Sequence, residues 1–200
     1  MTDRLYDIAM PENSQKVGLH VSAAGGVQNA PDNAKAMGAE CFQFFSRSPR
    51  GGGAAPISDE QATAFRSKSE EYGFESYIHT PYYINFASKN TKIYHGSINA
   101  VREELIRGTK LGVKYVVTHM GSAKDHITLP AGVAGDTPPE VPHEAIAQAI
   151  EGLKKIYETD EDLTTQLLLE ISAGAGAVLG DSFDELAKLL DGLGRKDVHV

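Results

Sequence analysis

The 200-residue chain has one cysteine, no long apolar run and no surplus of positive charge. With only Cys41 available, an internal disulfide framework is excluded, and the setting Cys41-Phe42-Gln43-Phe44-Phe45 reads as a buried thiol. No stretch approaches the roughly 20 apolar residues that a membrane helix needs. The opening Met1-Thr2-Asp3-Arg4 lacks the basic and then apolar pattern of a secretory signal. The expectation is a cytoplasmic protein with no membrane partner. A formal net charge of −8 excludes a protein that coats nucleic acid through overall charge. A local positive cleft made of metal ions and a few arginines stays possible on such a molecule. Internal repeats are absent, as are the GxGxxG and GxxxxGK patterns, so Gly25-Gly26 reads as a tight turn that needs backbone freedom.

The 41% of hydrophobic residues suffices for one substantial core. Residues 1–16, with Pro11, Glu12, Asn13 and Ser14 and little periodicity, read as a flexible extension, and residues 17–200 as the folded part. Short apolar runs begin near Val17, Cys41, Tyr77, Lys114, Leu167 and Val198 and alternate with helical segments, the pattern of repeated βα units on a parallel sheet. Ser58 with Gln61 and Ser182 with Glu185 fit the capping box and mark two helix starts. Helical spacing is also present over Asn99–Leu111, ending at Gly112, and over His143–Tyr157. The polar stretch Gly121–Pro142 is too long for a routine connection, and such loops are often functional. About six strands fall short of the eight of a closed barrel, which takes about 250 residues. The expected fold is therefore an α/β barrel of the TIM type, (β/α)8, here incomplete.

Three ligand-type side chains end three of the apolar runs: His79 after Tyr77-Ile78, His119 after Tyr115-Val116-Val117-Thr118, and Glu170 after Leu167-Leu168-Leu169. Strands of a parallel sheet are buried on both faces, so a polar residue that closes such a run points out of the C-terminal rim, where α/β proteins collect ligands and catalytic groups. Two imidazoles and a carboxylate form a donor set that zinc accepts, with a coordination position left for water. A lone histidine in such a place is by default a hydrogen-bonded rim residue, and the joint occurrence of the three sets these apart. His95 and His143 read as solvated residues near helix starts, His126 as a loop residue, and His199 has no comparable context.

Three segments carry a more specific signal: Gly18-Leu19-His20-Val21-Ser22-Ala23-Ala24-Gly25-Gly26, the stretch His79 to Asn85 (HTPYYIN), and Leu169-Glu170-Ile171-Ser172-Ala173-Gly174-Ala175-Gly176 followed by Leu179-Gly180. In order and with compatible spacing from Val17 to Val200, the chain resembles the endonuclease IV family of apurinic/apyrimidinic DNA repair enzymes, over the N-terminal two thirds of the family barrel. The resemblance implies a trinuclear zinc cluster at the strand C-termini and hydrolysis of the phosphodiester 5′ to an abasic site. It implies that His79 and His119 are ligands of the first zinc and that Glu170 is both ligand and catalytic bridge to the second. Such a bridge holds two cations at the separation that two-metal phosphodiester chemistry uses. The partner implied is double-stranded DNA containing abasic sites, with Arg50, in the loop Phe45-Ser46-Arg47-Ser48-Pro49-Arg50, placed in the duplex and Arg47 beside it. Tyr82 corresponds to an aromatic residue used when the DNA is bent and the abasic nucleotide is turned out. His20 belongs to the matching motif and is expected to pack or orient behind the ligands.

Two departures flank the ligands: Met120 stands where the family pattern has proline, and Ile171 where it has asparagine. The family's other zinc ligands lie beyond the position of Val200, so the residues present account for one zinc and half a bridge. Two further readings stay open, a metal-dependent sugar isomerase or epimerase on a related barrel and a non-catalytic barrel fragment.

Overall fold

The computed structural model describes residues 15–127, 140–159, 161–174 and 176–200. Most of the expected N-terminal extension, residues 1–14, lies outside them, as do residues 128–139 of the long polar stretch. Six strands form one parallel sheet in sequence order: β1 (Gly18–Val21), β2 (Cys41–Phe44), β3 (Glu75–His79), β4 (Tyr115–Thr118), β5 (Gln166–Leu169) and β6 (Val198–His199). Helices α1 (Ala30–Ala36), α2 (Asp59–Tyr72), α3 (Thr91–Leu111), α4 (His143–Ile156) and α5 (Phe183–Leu193) alternate with them. Among the described residues β1 and β6 are free edges, the open arc that the sequence predicts for an incomplete barrel.

Register decides which side chains meet. Phe44 pairs with Ile78, Ile78 with Val116, Val116 with Leu167 and Leu167 with Val198, and paired residues of parallel strands share a face. These residues are buried and point toward the helices, joining Phe65, Leu105, Leu153 and Leu189 in one core. Phe44 and Phe65 approach to 5.3 Å between ring centroids. The opposite, concave face carries Gln43, Tyr77, Tyr115 and Gln166 in the alternate register, with Tyr77 stacked on Tyr115 at 5.7 Å. Cys41 is on this face and half-buried, more open than its apolar neighbours suggest, because among the described residues no helix packs over the concave wall there.

Local chemistry sets the helix ends. Ser58 and Gln61 complete a reciprocal cap, with Oγ and Oε1 each accepting a backbone N–H of the other. Ser182 caps α5, but the Glu185 carboxylate accepts from the Gly180 N–H at 2.5 Å instead of reaching back to residue 182, so only half of the expected box forms. Helix α3 begins eight residues before the start read from periodicity, at Thr91. Asn90 Oδ1 accepts from the amides of Lys92 and Ile93, supplying the start signal that the polar sequence there obscures. Gly25 and Gly26 have φ of +82° and +129° in the turn closed by Gly26 N–H to Ala23 C=O.

Candidate metal centre

Strand alternation builds the centre. His79 pairs with Val117, two residues before His119, and Thr118 pairs with Leu169, one residue before Glu170. All three ligand-type residues therefore emerge on the concave face at the C-terminal rim. His79 Nε2 lies 3.1 Å from Glu170 Oε2, and His119 Nε2 lies 3.6 Å from the same oxygen. One ligand atom from each residue falls within 4.8 Å of the other two. The edge of a tetrahedron with metal–ligand bonds of about 2.0–2.1 Å is about 3.3 Å, and the two separations bracket it. The carboxylate oxygen thus stands at zinc-ligand spacing from both imidazoles, and the donor set is of a kind that zinc accepts.

Buried hydrogen bonds hold these donors. His79 Nδ1 sits 2.7 Å from the Thr80 carbonyl, which accepts only if Nδ1 carries the proton, leaving the Nε2 lone pair for the centre. The Thr80 hydroxyl donates to Thr118 Oγ1 at 2.9 Å, and the Thr118 hydroxyl donates to the His119 carbonyl at 3.0 Å. Both threonines are buried, so this relay fixes the two histidine-bearing strand ends against each other. Asn85 performs a similar task one loop further out. Its Oδ1 accepts from Ala87 and Ser122, and its Nδ2 donates to Ser122 C=O. His79 is nearly buried, whereas His119 and Glu170 each keep 40% of their side chain exposed. The site is anchored on one side and open on the other.

The departures beside the ligands have structural accounts of unequal depth. Met120 is fully buried, and its methyl group occupies the space above Gly180, where any Cβ would collide with it. Gly180 also has φ of +77°, so methionine and glycine form a matched pair. Ile171 leaves 43% of its surface exposed at the mouth of the site.

Around the centre, Phe45 is a hub that sequence reasoning named only as the end of an apolar run and the start of a loop. Its ring lies 4.4 Å from His20, 5.5 Å from His79 and 5.2 Å from Tyr82. The signal was its place in the alternation Cys41, Gln43, Phe45, which puts it on the concave side. His20 is exposed, bonds Gln43 Oε1 at 3.1 Å, and its ring stands 6.5 Å from that of His79, so it packs against Phe45 and touches no ligand. Tyr82 projects from the rim with 68% of its surface exposed, while its backbone N–H donates to Pro49 C=O. Arg50 is exposed as well. A groove of about 620 Å³ runs past His119 between Tyr83, Asn85, Ile93, Ser122 and Ser172.

Arg47 is placed otherwise than the loop match implies. Its side chain is only 5% exposed, with Nε bonded to the fully buried Glu104 and Nη2 within 2.8 Å of Glu103, both on α3. Burial disfavours its charge, but Glu104 and Glu103 outweigh that cost and hold its pKa above the ordinary range. It is committed beneath the rim and is not available on the surface beside Arg50. Asp125 and His126 are also occupied structurally: Asp125 accepts from Ser88 and Lys89, and His126 Nε2 meets the Ala87 carbonyl at 2.8 Å.

Comparison with known proteins gives a consistent picture. Residues 31–200 match the family model described as xylose isomerase-like TIM barrel. A probable endonuclease 4 from Thermoplasma acidophilum is 34% identical over 190 residues, covering 94% of this chain and 60% of that protein. The solved structure of endonuclease IV from Thermus thermophilus superposes with a TM-score of 0.72 at 29% identity, over 88% of this chain and 59% of that one. A D-psicose 3-epimerase superposes with a TM-score of 0.63 at 14% identity, over 92% of this chain and 62% of that one, a likeness of fold alone. The chain spans about 60% of the length of the endonuclease relatives it matches.

Proposed function

Because this chain belongs to the xylose isomerase-like TIM barrel family, we infer that its rim trio is a zinc site of a DNA repair endonuclease that acts 5′ to abasic sites. The observation that carries this reading is the convergence of His79, His119 and Glu170, one ligand atom of each within 4.8 Å of the others, on a rim that also carries the exposed Tyr82 and Arg50. In the same reading, residues 17–200 are the N-terminal part of the barrel domain and residues 1–16 an extension. A centre of two imidazoles and one carboxylate differs from the carboxylate-dominated sites of sugar epimerases, and the endonuclease relatives share far more sequence than the epimerases do.

Zinc, when bound, supplies Lewis acidity toward a phosphodiester. The protein's own groups supply position. His79 offers Nε2 because Thr80 holds Nδ1 as the protonated nitrogen, and the threonine relay keeps His119 at the same height. Glu170 faces both imidazoles with one oxygen, and its second oxygen can serve a second cation. Arg50 provides a cation for backbone phosphate. Tyr82 provides an exposed flat ring at the rim, 6.1 Å from that of His79. Unstacking costs a few kcal/mol per step and least where a base is missing, so an inserted ring favours abasic sites over intact duplex.

The test uses the purified chain. Zinc content is expected at about one per chain, lost in the paired His79→Ala and His119→Ala variant, with tighter binding of abasic than of intact duplex. If the rim trio is the whole metal site, cleavage is negligible, and robust chelator-sensitive nicking would replace the partial-site reading with a complete one. Equal zinc in parent and variant, or equal affinity for the two duplexes, would overturn the assignment. Epimerisation of a ketose with manganese would favour the sugar-enzyme reading instead.

A further inference from the structure

The loop that carries Arg50 runs from Phe45 to Ser58, between β2 and α2, and contains three consecutive glycines. A glycine-rich loop of this length has little reason to hold one shape. Yet its two ends are drawn together by a single side chain from another element. Arg107 of α3 donates from Nε to Ser46 Oγ at 2.6 Å, from Nη2 to Ser46 C=O at 2.5 Å, and from Nη1 to Ala55 C=O at 2.8 Å. Glu104, one turn earlier on the same helix and fully buried, accepts from the Ser46 hydroxyl at 2.5 Å and from Arg47 Nε. Helix α3 therefore grips both stems of the loop and Arg47 next to the first, the Tyr82 N–H holds Pro49 C=O, and Arg50 stands exposed beyond these contacts.

We propose that Arg107 is a positioning residue that clamps the stems of the 46–55 loop and thereby sets where Arg50 meets its phosphate. The guanidinium suits this task because its planar fork can satisfy oxygens from two chain segments at once, which an ammonium on a flexible stem does not do. Glu104 serves as the counter-charge that lets the Arg47 guanidinium of the loop and the Arg107 guanidinium of α3 both lie beside Ser46. The DNA-facing part of this inference rests on the reading of the site as an abasic-DNA nuclease. The clamp itself rests only on the three contacts above.

The experiment has two arms on the full chain. In the first, trypsin cleavage after Arg50 is followed by fragment mass for the parent, Arg107→Gln and Ser46→Ala, alongside the melting midpoint and bound zinc. The clamp predicts cleavage faster by about tenfold or more in Arg107→Gln and by a smaller factor in Ser46→Ala, with zinc content unchanged, because local opening governs proteolysis. Unchanged cleavage in a folded Arg107→Gln overturns the clamp. Should that variant fail to fold, Ser46→Ala, which leaves both main-chain acceptors in place, decides: equal cleavage to the parent overturns it.

In the second arm, binding of abasic duplex is measured for Arg50→Ala, Arg107→Gln and the pair. If Arg107 acts through Arg50, the paired variant binds no more weakly than Arg50→Ala alone, whereas a merely structural loss would add. Additive losses overturn the positioning role. Loosened proteolysis together with no effect of Arg50→Ala on binding would instead defeat the nuclease reading and leave the clamp standing.

Discussion

At the scale of single residues, the centre's dependence on its donors can be measured directly. Glu170→Gln keeps the shape but removes the anionic donor facing both imidazoles, and zinc affinity measured by competition with a chelating dye should fall by more than about 100-fold. Thr118→Val cuts the relay to His119 while leaving all donors in place, so its loss should stay within about ten- to hundredfold. A second residue-scale consequence concerns acid. Arg195 donates to both carboxylate oxygens of Asp197, and this hydrogen bonding, opposed by partial burial, holds the Asp197 pKa below its ordinary 3.8. A depressed carboxylate contributes stability that is complete above the unfolded value and fades as pH falls through the folded one. The stability advantage of the parent over Asp197→Asn, from urea titrations, should thus be constant above about pH 5 and shrink below about pH 4. His79, His119 and Glu170 were readable one by one as polar ends of apolar runs. The burial of Arg47 was not readable, because its partners Glu103 and Glu104 lie more than fifty positions away and look like ordinary helix-surface acids.

At the scale of elements, strands and helix caps follow from short-range chemistry and were largely evident. Alternating polarity and apolar runs place all six strands to within a few residues, and Ser58 and Ser182 do cap helices. Helix α3 shows the limit: His95, Gly96 and Ser97 interrupt the apolar period, and only the Asn90 cap with the buried Ser97 hydroxyl, which bonds Ile93 C=O and Asn85 N–H, explains the early start. The turn between β5 and α5 offers a sharp test of packing between elements. Gly180→Ala would force a side chain into left-handed backbone and against the Met120 methyl group and Leu186. A destabilisation of about 2–4 kcal/mol is expected from chemical denaturation, combining backbone strain with overpacking. Adding Met120→Ala should recover the packing part and leave the backbone part.

At the scale of the molecule, the three ligand residues come from β3, β4 and β5, so an ion that binds them joins three βα units. Ligand binding to the folded state alone stabilises it by RT ln(1 + [L]/Kd), or about 2.7 kcal/mol at a hundredfold excess over Kd. Thermal melts with zinc should therefore rise in midpoint, the rise should vanish with a chelator, and the paired His79→Ala and His119→Ala variant should show none. The arc has two free strand edges among its described residues, and the helices cover only its convex side. The amino-acid sequence by itself determined the βα alternation, the parallel sheet and the polar residues that close its strands, since each follows from periodicity within a dozen residues. Only the tertiary structure decided that three of those residues share one oxygen's neighbourhood, that Phe45 links them to Tyr82, and that α3 reaches back to hold the Arg50 loop. Those outcomes depend on inter-strand register and on the reach of long side chains between distant segments, which no local pattern encodes.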